Sequence, residues 1–467
     1  MQVSIIKKSA VVGNFRIDAE CYQEKYVLTK KKLSALKNTL LGKEVSKFYK
    51  GIFDIKAESY SDSGIPFVRI GDLKDCIIDI SNITYIPELE HLKNHKTALR
   101  KGDIILSKTA YPAASFVNLS ECNTSQDTIA IRLKENSQIE SEYLVVFLNS
   151  KFGFYQMERW FTGNVQMHLN LSDSRNIIIP IPSKTLQDTI KSLFFNVIWI
   201  KKQSVMEFNQ AQNLLLSELG LADWESKHRL TFVKNYSSAQ RAERIDAEYF
   251  QPKYEEIVYA IRSYAGGWDR LGNLVTMKKC VEVGSKEYLN EGIPFVRVSN
   301  LSPFEITEEK YISEALYAEI IQHQPEQGEI LFSKDATPGI AHYLRGKPPK
   351  MIPSGGILRL KSKTDRLNNE YLTLVLNSIL TKEQVNRDVG GSVILHWRPD
   401  QVQETVIPIL PKEKQDQIQQ RVTESFNLRK QSKHLLECAK RAVEMAIEQD
   451  EQTAIDWLEY ETNATAL

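Results

Sequence analysis

The chain of 467 residues is too long for one ordinary hydrophobic core and predicts two to four domains. Its 42% hydrophobic and 25% charged residues exclude a disordered chain, and no uninterrupted apolar run is long enough for a membrane span. Because the formal net charge is only +1, any polyanion has to be met by a local basic surface. The opening residues, MQVSIIKKSA, lack the layout of a signal peptide, so we expect a cytoplasmic protein.

Sequence segments from the first half of the chain are repeated in its second half. Residues 16–26, RIDAECYQEKY, match 244–254, RIDAEYFQPKY, at an offset of 228. At the same offset, residues 64–73, GIPFVRIGDL, match 292–301, GIPFVRVSNL. These ordered matches predict a tandem duplication of a domain-sized unit. Further matches at or near this offset are GDIILSK (102–108) with GEILFSK (328–334), Tyr143 with Tyr371, His168 with His396, IPIP (179–182) with IPIL (407–410), and Gln187 with Gln415.

Each unit reads as an α+β domain. Short β-type runs such as IPFVRI, DIILS and TIAIRL are separated by Gly, Pro, Asn and Ser, and helical patterns occupy residues 142–150 and 370–378. The matched motifs predict a common framework. Residues 109–140 and 335–368 barely resemble each other, and we interpret them as divergent loops on that framework. One framework with two sets of loops predicts one kind of task performed on two different targets.

A long helical pattern follows each unit. Residues 183–220 and 411–448 carry apolar or small residues every three or four positions, which predicts two amphipathic helices of about 50 Å. A single apolar stripe on so long a helix needs a partner, and the simplest partner is the other helix. An antiparallel pair would form a rod with one globular unit at each end.

The duplicated GIPFVR, GDIILSK and IPIP…Q segments, each followed by a long helix, resemble the specificity (S) subunit of type I restriction-modification systems. The similarity covers nearly the whole chain. It implies an α+β fold with two globular target recognition domains, related by tandem duplication and separated by two long helices that pair as an antiparallel coiled coil. The implied segments are target recognition domains at 1–182 and 241–410, spacer helices at 183–220 and 411–450, a linker at 221–240 and a tail at 451–467.

The resemblance also implies a function and a set of partners. Each half of an S subunit reads one part of a bipartite, asymmetric site in double-stranded DNA. Methyltransferase subunits would bind through residues 183–220 and 411–448, and restriction subunits are further possible partners. S-adenosylmethionine, ATP and magnesium are then expected in the partner subunits, and no cofactor is expected in this chain.

Motifs for catalysis are not found in the sequence. A GxxxxGK[ST] phosphate loop, a GxGxxG loop and an NPPY-type tetrapeptide are all absent, and Asp400 lacks the spaced partners of a nuclease site. The five cysteines are scattered without a CxxC pair, so we expect no metal site. The sequence therefore predicts a specificity subunit without catalytic residues of its own.

Candidate DNA contacts are residues at strand ends, in glycine-containing loops and, for Lys47, in the lysine-rich segment 26–56, whose side chains suit phosphates or base edges. For Arg69 and Arg297, an ion pair with a carboxylate is the alternative, and for His168 and His396 a structural role near the core. The remaining candidates have the alternative of being plain surface residues. The full set is Lys47, Arg69, Lys108, Thr109, Tyr111, Asn164, Gln166, His168, Arg297, Lys334, Thr337, His396 and Arg398.

Two other functions remain open from the sequence. The chain can be the target-reading subunit of a fused methyltransferase-nuclease or of another phage-defence system. It can also be a protein-interaction scaffold with two divergent heads and no nucleic acid. Salt-dependent binding to duplex DNA separates the scaffold from the DNA readers.

Overall fold

A computed structural model describes residues 19–56, 59–74, 76–80, 83–161, 168–389 and 395–465. The chain divides into two compact units. Unit 1 comprises Met1–Lys202 and Arg429–Leu467, and unit 2 comprises Gln203–Leu428.

In unit 1 the strands form sheets of order β2-β11-β8-β9-β5-β4, β6-β3-β10-β7 and β1-β12. Most neighbours are antiparallel, whereas β3 with β10 and β5 with β9 are parallel. The strands are β1 (Asn38–Leu40), β2 (Val45–Lys50), β3 (Ile65–Val68), β4 (Leu73–Lys74), β5 (Cys76–Ile78), β6 (Thr84–Ile86), β7 (Leu99–Arg100), β8 (Ile104–Ser107), β9 (Ala114–Phe116), β10 (Glu121–Thr124), β11 (Thr128–Leu133) and β12 (Ile178–Pro180).

In unit 2 the sheets have the orders β14-β20-β17-β18, β16-β15-β19 and β13-β21. Each order repeats part or all of a unit 1 order, so β14, β20, β17 and β18 correspond to β2, β11, β8 and β9. The strands are β13 (Trp268–Arg270), β14 (Val275–Lys279), β15 (Ile293–Val296), β16 (Tyr311–Ile312), β17 (Ile330–Ser333), β18 (Ala341–Tyr343), β19 (Ile352–Pro353), β20 (Ile357–Ser362) and β21 (Val406–Pro408).

Helices surround the sheets of both units and confirm the α+β fold. In chain order they are α1 (Glu24–Ala35), α2 (Leu41–Glu44), α3 (Glu88–Lys93), α4 (Ser141–Asn149), α5 (Lys151–Trp160), α6 (Leu171–Ser174), α7 (Lys184–Glu218), α8 (Tyr236–Ala242), α9 (Pro252–Arg262), α10 (Leu271–Leu274), α11 (Glu314–Glu319), α12 (Asn369–Asn377), α13 (Ile379–Asp388), α14 (Pro399–Gln403), α15 (Lys412–Glu448) and α16 (Glu451–Thr465). The helical patterns at 142–150 and 370–378 correspond to α4 and α12.

The segments that differ between the units are not loops throughout, contrary to our expectation. Residues 109–140 contain β9, β10 and β11, and residues 335–368 contain β18, β19 and β20. Strands pair through backbone hydrogen bonds, so two strands can share a place in a sheet while their side chains differ. The divergence therefore extends from the loops into the sheets.

Matched glutamines explain part of the repeat. Gln156 accepts a hydrogen bond from the backbone N–H of Ile178 (2.8 Å) and donates one to its carbonyl (3.0 Å). Gln384 makes the same two bonds with Val406, at 2.9 and 3.1 Å. Each side-chain amide pairs with both the N–H and the carbonyl of one strand residue. Replacing the glutamine is therefore costly, because it would leave two buried backbone groups without a hydrogen-bond partner. Gln156 and Gln384 are also 228 residues apart, but their neighbours differ between the two units, so no shared motif marks them in the sequence.

The glycine of each GIPFVR motif is required by its backbone. Gly64 has φ +131° and Gly292 has φ +135°, a region that L side chains rarely adopt. A Cβ at Gly64 would lie 2.6 Å from the carbonyl oxygen of Ile86, and one at Gly292 would lie 2.5 Å from that of Ile312. The motif therefore repeats because the turn into β3 and β15 admits only glycine at this close approach.

An arginine–carboxylate pair lies against the central sheet of each unit. In unit 2, Arg359 on β20 donates to Glu329 at 2.8 and 3.0 Å, and both side chains are almost fully buried. In unit 1, Arg132 on β11 donates to Asp103 at 2.8 and 2.6 Å, with the arginine partly exposed. The bidentate geometry satisfies both partners, which a buried charge requires.

The two long helices are present and pair in antiparallel fashion. Within unit 2, Ser425 Oγ donates to the carbonyl of Ser204 (2.7 Å), while Lys414 pairs with Glu218 (2.7 Å), so the order of contacts along α15 is opposite to that along α7. Ser204 and Ser425 are fully buried and small, which permits close packing of the helices. Within unit 1, the apolar stripe of α7 is buried as expected at Ile190, Leu193, Val197 and Ile200.

Candidate nucleic-acid interface

A short turn begins at the last residue of the corresponding strand in each unit, at residues 107–111 from the end of β8 and 333–337 from the end of β17. We call it the lysine turn, because its second residue is Lys108 or Lys334. Its first residue is a serine whose hydroxyl donates a 2.6 Å hydrogen bond to the carbonyl of the fifth residue, Tyr111 or Thr337. The turn therefore has the same internal bond in both units and a different exposed residue at its fifth position.

The fourth residue of each lysine turn has a strained backbone. Ala110 has φ 62° and Ala336 has φ 57°, in the left-handed region that is unfavourable for residues other than glycine. Such strain persists only where the surrounding structure imposes it, and it concentrates at functional sites. Finding it at the same place in two otherwise divergent segments marks the lysine turn as a candidate binding element.

A second segment is bonded to each lysine turn. The carbonyl of Lys108 accepts from the N–H of Leu169 (2.8 Å), and that of Lys334 accepts from the N–H of Trp397 (2.8 Å). Isolated β-bridges join Thr109 to His168 and Asp335 to His396. The two histidines matched in the sequence therefore adjoin the lysine turns, which brings together residues separated by about sixty positions in each unit.

The electrostatic surroundings of the two lysines differ. In unit 1, burial and the nearby positive charge of Lys50 lower the pKa of Lys108. In unit 2, Lys334 Nζ forms an ion pair with Asp335, whose other oxygen lies 2.9 Å from His396 Nδ1. In unit 1, Lys108 therefore has the positive charge of Lys50 and the negative charge of Asp127 nearby, whereas in unit 2 the carboxylate of Asp335 lies between two basic groups.

Two candidates of unit 1 are held inside the turn region. The side chain of Thr109 is only 2% exposed, and the Nδ1 atom of His168 is buried with no hydrogen-bond partner among the described residues. The ring of Tyr111 is partly exposed while its hydroxyl donates to the carbonyl of Ile70 (3.0 Å). Of these three side chains, Tyr111 presents the most surface to a ligand.

The candidates outside the turns have protein partners. Lys47 Nζ donates to the carbonyl of Ala98, and burial, followed by the charge of Arg132, lowers its pKa. Arg69 Nε lies 3.7 Å from Asp72, and Arg297 pairs with Glu309. The ion pairs that were the alternative for Arg69 and Arg297 are thus present. Both arginines follow the strand of the repeated motif and remain partly exposed.

Arg398 and Thr337 are the last two candidates among the described residues. Arg398 is exposed and lies 3.2 Å from Asp400, and Thr337 is exposed at the fifth position of its turn. Asn164 and Gln166 lie outside the described residues. Asp335 was missed by the sequence reasoning, although aligning GDIILSK with GEILFSK places it at the position of Thr109. Lys50 was missed as well, because nothing in the sequence places it near Lys108.

Comparisons with known proteins agree with this organisation. The family model of the type I restriction modification DNA specificity domain matches residues 42–205 and 267–437. The chain is also similar to solved structures at TM-scores below 0.5. They are an S subunit of a type I restriction-modification system from M. genitalium (12% identity, TM-score 0.33, 90% of this chain and 95% of that chain), the HsdS subunit from Thermoanaerobacter tengcongensis (17%, 0.29, 89% and 97%), and the type IIG restriction endonuclease BpuSI (12%, 0.31, 38% and 28%). No curated protein matches the chain.

Two α+β units that carry the same strained turn with different exposed residues define a protein built from two related domains with divergent surfaces. The two family matches together cover more than half of the residues, one match in each repeat. The chain therefore belongs to the type I restriction modification DNA specificity domain family. It is a DNA-recognition subunit, and neither the scaffold nor the other defence system is favoured. Within the described ranges, no helix has the length and apolar character needed to span a bilayer.

Proposed function

We propose that each unit reads one half of a bipartite, asymmetric site in double-stranded DNA, with its lysine turn at the DNA. The observation that carries this proposal is the turn itself. It has the same internal hydrogen bond and the same left-handed residue in both units, whereas the residues at its third and fifth positions and the charges near its lysine differ. A constant backbone can place a side chain at a base edge, and a variable side chain changes which base is accepted. The lysines suit phosphates, which position the protein without reading sequence.

Tyr111→Ala in unit 1 and Thr337→Ala in unit 2 form a matched pair, because both residues occupy the fifth position of the lysine turn. Each substitution is expected to relax base preference in one half of the site only, by about 1–3 kcal/mol or roughly 5- to 150-fold per lost base contact. Methylome sequencing of a host carrying the complete system with each variant measures this. A single substitution that changes both halves would contradict separate reading.

The catalytic steps belong to partner subunits in this proposal. The chain directs methyltransferase subunits and restriction subunits to the site, and S-adenosylmethionine, ATP and magnesium are used by those partners. The sequence supports this because it lacks phosphate-binding and methyltransferase motifs. We further propose that the complex works in the cytoplasm. Because the catalytic groups belong to the partner subunits in this proposal, we expect the purified chain without partners to show no methyl transfer to DNA.

Methyltransferase subunits are proposed to bind the long helices, at residues 183–220 and 411–448. On the part of α7 that belongs to unit 1, Trp199 is 59% exposed, with Phe195 one turn before it on the same face. Exposed tryptophan on a helix is unusual for a surface without a partner, and tryptophan is enriched among residues that dominate interface energies.

Trp199→Ala is expected to weaken binding of the cognate methyltransferase subunit by about 2 kcal/mol or more, roughly thirtyfold. Tyr259→Ala is the control, because Tyr259 is an exposed aromatic residue on α9, outside the long helices. Titration of the labelled methyltransferase subunit measures both variants. Equal affinities of the Trp199→Ala variant and the wild type would show that this face of α7 is not the binding surface.

A further inference from the structure

An open cavity of about 560 Å³ lies beside the end of β2 in unit 1. It is bordered by the strand end and following loop on one side, and by the end of α3 and the turn after it on the other. Its volume is in the range of sites that take small ligands. The residues around it are Tyr49, Lys50, Gly51, Ile52, Phe53, Lys93, Asn94, His95, Lys96 and Thr97.

Exposed aromatic rings form one wall of this cavity. Phe53 is 72% exposed and Tyr49 is 48% exposed, and Lys50 Nζ lies 4.8 Å from the centre of the Phe53 ring. A phenylalanine this exposed contributes little to folding. Aromatic faces in a basic groove are the surfaces on which unpaired bases stack in proteins that bind single strands.

The loop that presents Phe53 is fixed by its neighbours. Ile52 bridges to Ser125 and donates to the carbonyl of Thr124 (2.8 Å). Gly51 lies so close that a Cβ would meet the carbonyl oxygen of Ser125 at 2.1 Å, so this position admits no side chain. A stacking surface that is held in place before the ligand arrives loses less entropy on binding.

The charge of the cavity suits a phosphate. Lys50, Lys93 and Lys96 line it together with His95, and no carboxylate does so among the described residues. Lys93 has Glu90 at 3.7 Å outside the lining. The cavity adjoins the lysine turn of the same unit, because the carbonyl of Thr128 accepts from the N–H of Gly51 (3.2 Å) and Thr128 pairs with Ser107 in the sheet.

Unit 2 lacks this combination, which gives an internal comparison. The bridge of Ile52 with Ser125 corresponds to the bridge of Val281 with Ser354, so Glu282 stands where unit 1 has Phe53. The turns after α3 and α11 likewise correspond, and unit 2 has Gln322 where unit 1 has Lys96. Unit 2 has a carboxylate where unit 1 has an aromatic ring and an amide where unit 1 has a cation, so the combination is specific to unit 1 within the described residues.

We propose that this cavity binds one unstacked nucleotide of a DNA strand, with the base against Phe53 and Tyr49 and its phosphate between Lys50 and Lys96. The inference rests on the proposed function of the lysine turn, because DNA held there brings a strand to the cavity. The nucleotide belongs to the part of the DNA that unit 1 binds. Unit 2, with Glu282 in the corresponding position, takes no such nucleotide.

Binding of a fluorescein-labelled dT8 oligonucleotide to the full-length protein tests the stacking part. Phe53→Leu keeps an apolar side chain and removes the ring, and it is expected to weaken dT8 binding roughly 5- to 100-fold. Tyr460→Leu is the matched control, because Tyr460 on α16 is also 72% exposed, and it should bind as the wild type does. Equal binding by the wild type and the Phe53→Leu variant overturns the proposal, and so does an equal loss in both variants.

Duplex DNA measured on the same proteins separates this inference from the proposed function. If duplex DNA binds in a salt-dependent way while dT8 binding ignores Phe53→Leu, only the cavity assignment is overturned. If the wild type binds neither DNA, the proposed function fails with it. Thymidine monophosphate is added as a competitor of dT8. If the protein binds thymidine monophosphate as tightly as it binds dT8, the ligand is a free nucleotide and the assignment to a DNA strand is overturned.

Photocrosslinking locates the base. An oligonucleotide with 5-iodouracil in place of one thymine, irradiated on the wild-type protein, is expected to attach to the peptide that contains Tyr49 and Phe53. Crosslinks confined to other peptides overturn the proposal. The proposal is supported if the oligonucleotide attaches to this peptide in the wild type, and if the attachment is lost in the Phe53→Leu variant while duplex DNA still binds.

Discussion

Arg359→Met is expected to lower the free energy of unfolding of unit 2 by about 3–5 kcal/mol, because it leaves the carboxylate of Glu329 buried without its cation. The guanidinium makes two bonds to that carboxylate and a third, of 3.0 Å, to the carbonyl of Gln322. Both side chains are within 2% of full burial, so water cannot replace the lost partner. For a unit of this size the loss corresponds to a melting temperature lower by roughly 6–20 °C.

Calorimetric unfolding of the full chain measures this change in the transition of unit 2. Lys361→Met is the matched control, because Lys361 lies on the same strand and pairs with Glu326 (3.0 Å) with both side chains half exposed. That variant should unfold close to the wild type. The double variant Arg359→Met, Glu329→Met should recover much of the stability, since a buried pair can be replaced by apolar residues. An Arg359→Met variant as stable as the Lys361→Met variant would contradict the argument.

The duplication and the α+β class could be predicted from the sequence because they depend on residues that repeat. GIPFVR recurs where a glycine turn and a buried strand recur, and the long helices have a regular spacing of apolar residues. Such features are local, and each is set by a few neighbouring positions. The duplication and the fold class were therefore accessible from pattern alone, whereas the order of strands in the sheets was not.

The candidate site was accessible only in part, because its geometry depends on pairs of residues far apart in the chain. The lysine after GDIILS could be identified, but the bond from Leu169 to Lys108 and the carboxylate beside Lys334 could not. The segments 109–140 and 335–368 looked like loops because their residues differ, although their backbones pair in sheets. Sheet pairing between distant segments is the information that residue identity alone does not carry.

Arg132 and Arg359 illustrate the same limit. Both pair with the acid at the start of the strand motif, Asp103 or Glu329, yet they do not occupy equivalent positions. Arg359 pairs with Leu331 in the sheet register, and Arg132 lies one residue beyond the last pair of β11 with β8. Aligning the two repeats does not place these arginines at the same position. A long side chain can reach the equivalent carboxylate from two different positions on the corresponding strand.

Duplex DNA is expected to bind the chain with an affinity that falls steeply with salt. If the two units together neutralise about six to ten phosphates, the affinity should decrease roughly 10³- to 10⁵-fold between about 50 and 200 mM salt. The balanced net charge of +1 makes this a test of local surfaces, since no general excess of positive charge would attract DNA. Fluorescence anisotropy with a labelled duplex, titrated at several salt concentrations, measures the slope of log affinity against log salt.

Lysine substitutions then show where the phosphates lie. Lys108→Gln should reduce that slope by about one, because a lysine that contacts a phosphate releases about one counterion. Lys334→Gln should reduce it less, since Asp335 already neutralises Lys334 in the free protein and the Lys334→Gln variant leaves that carboxylate unpaired beside His396. Lys361→Gln serves as the control away from the turns. An affinity that does not respond to salt would exclude a phosphate-binding surface altogether, and equal slopes for all three variants would place the DNA elsewhere on the units.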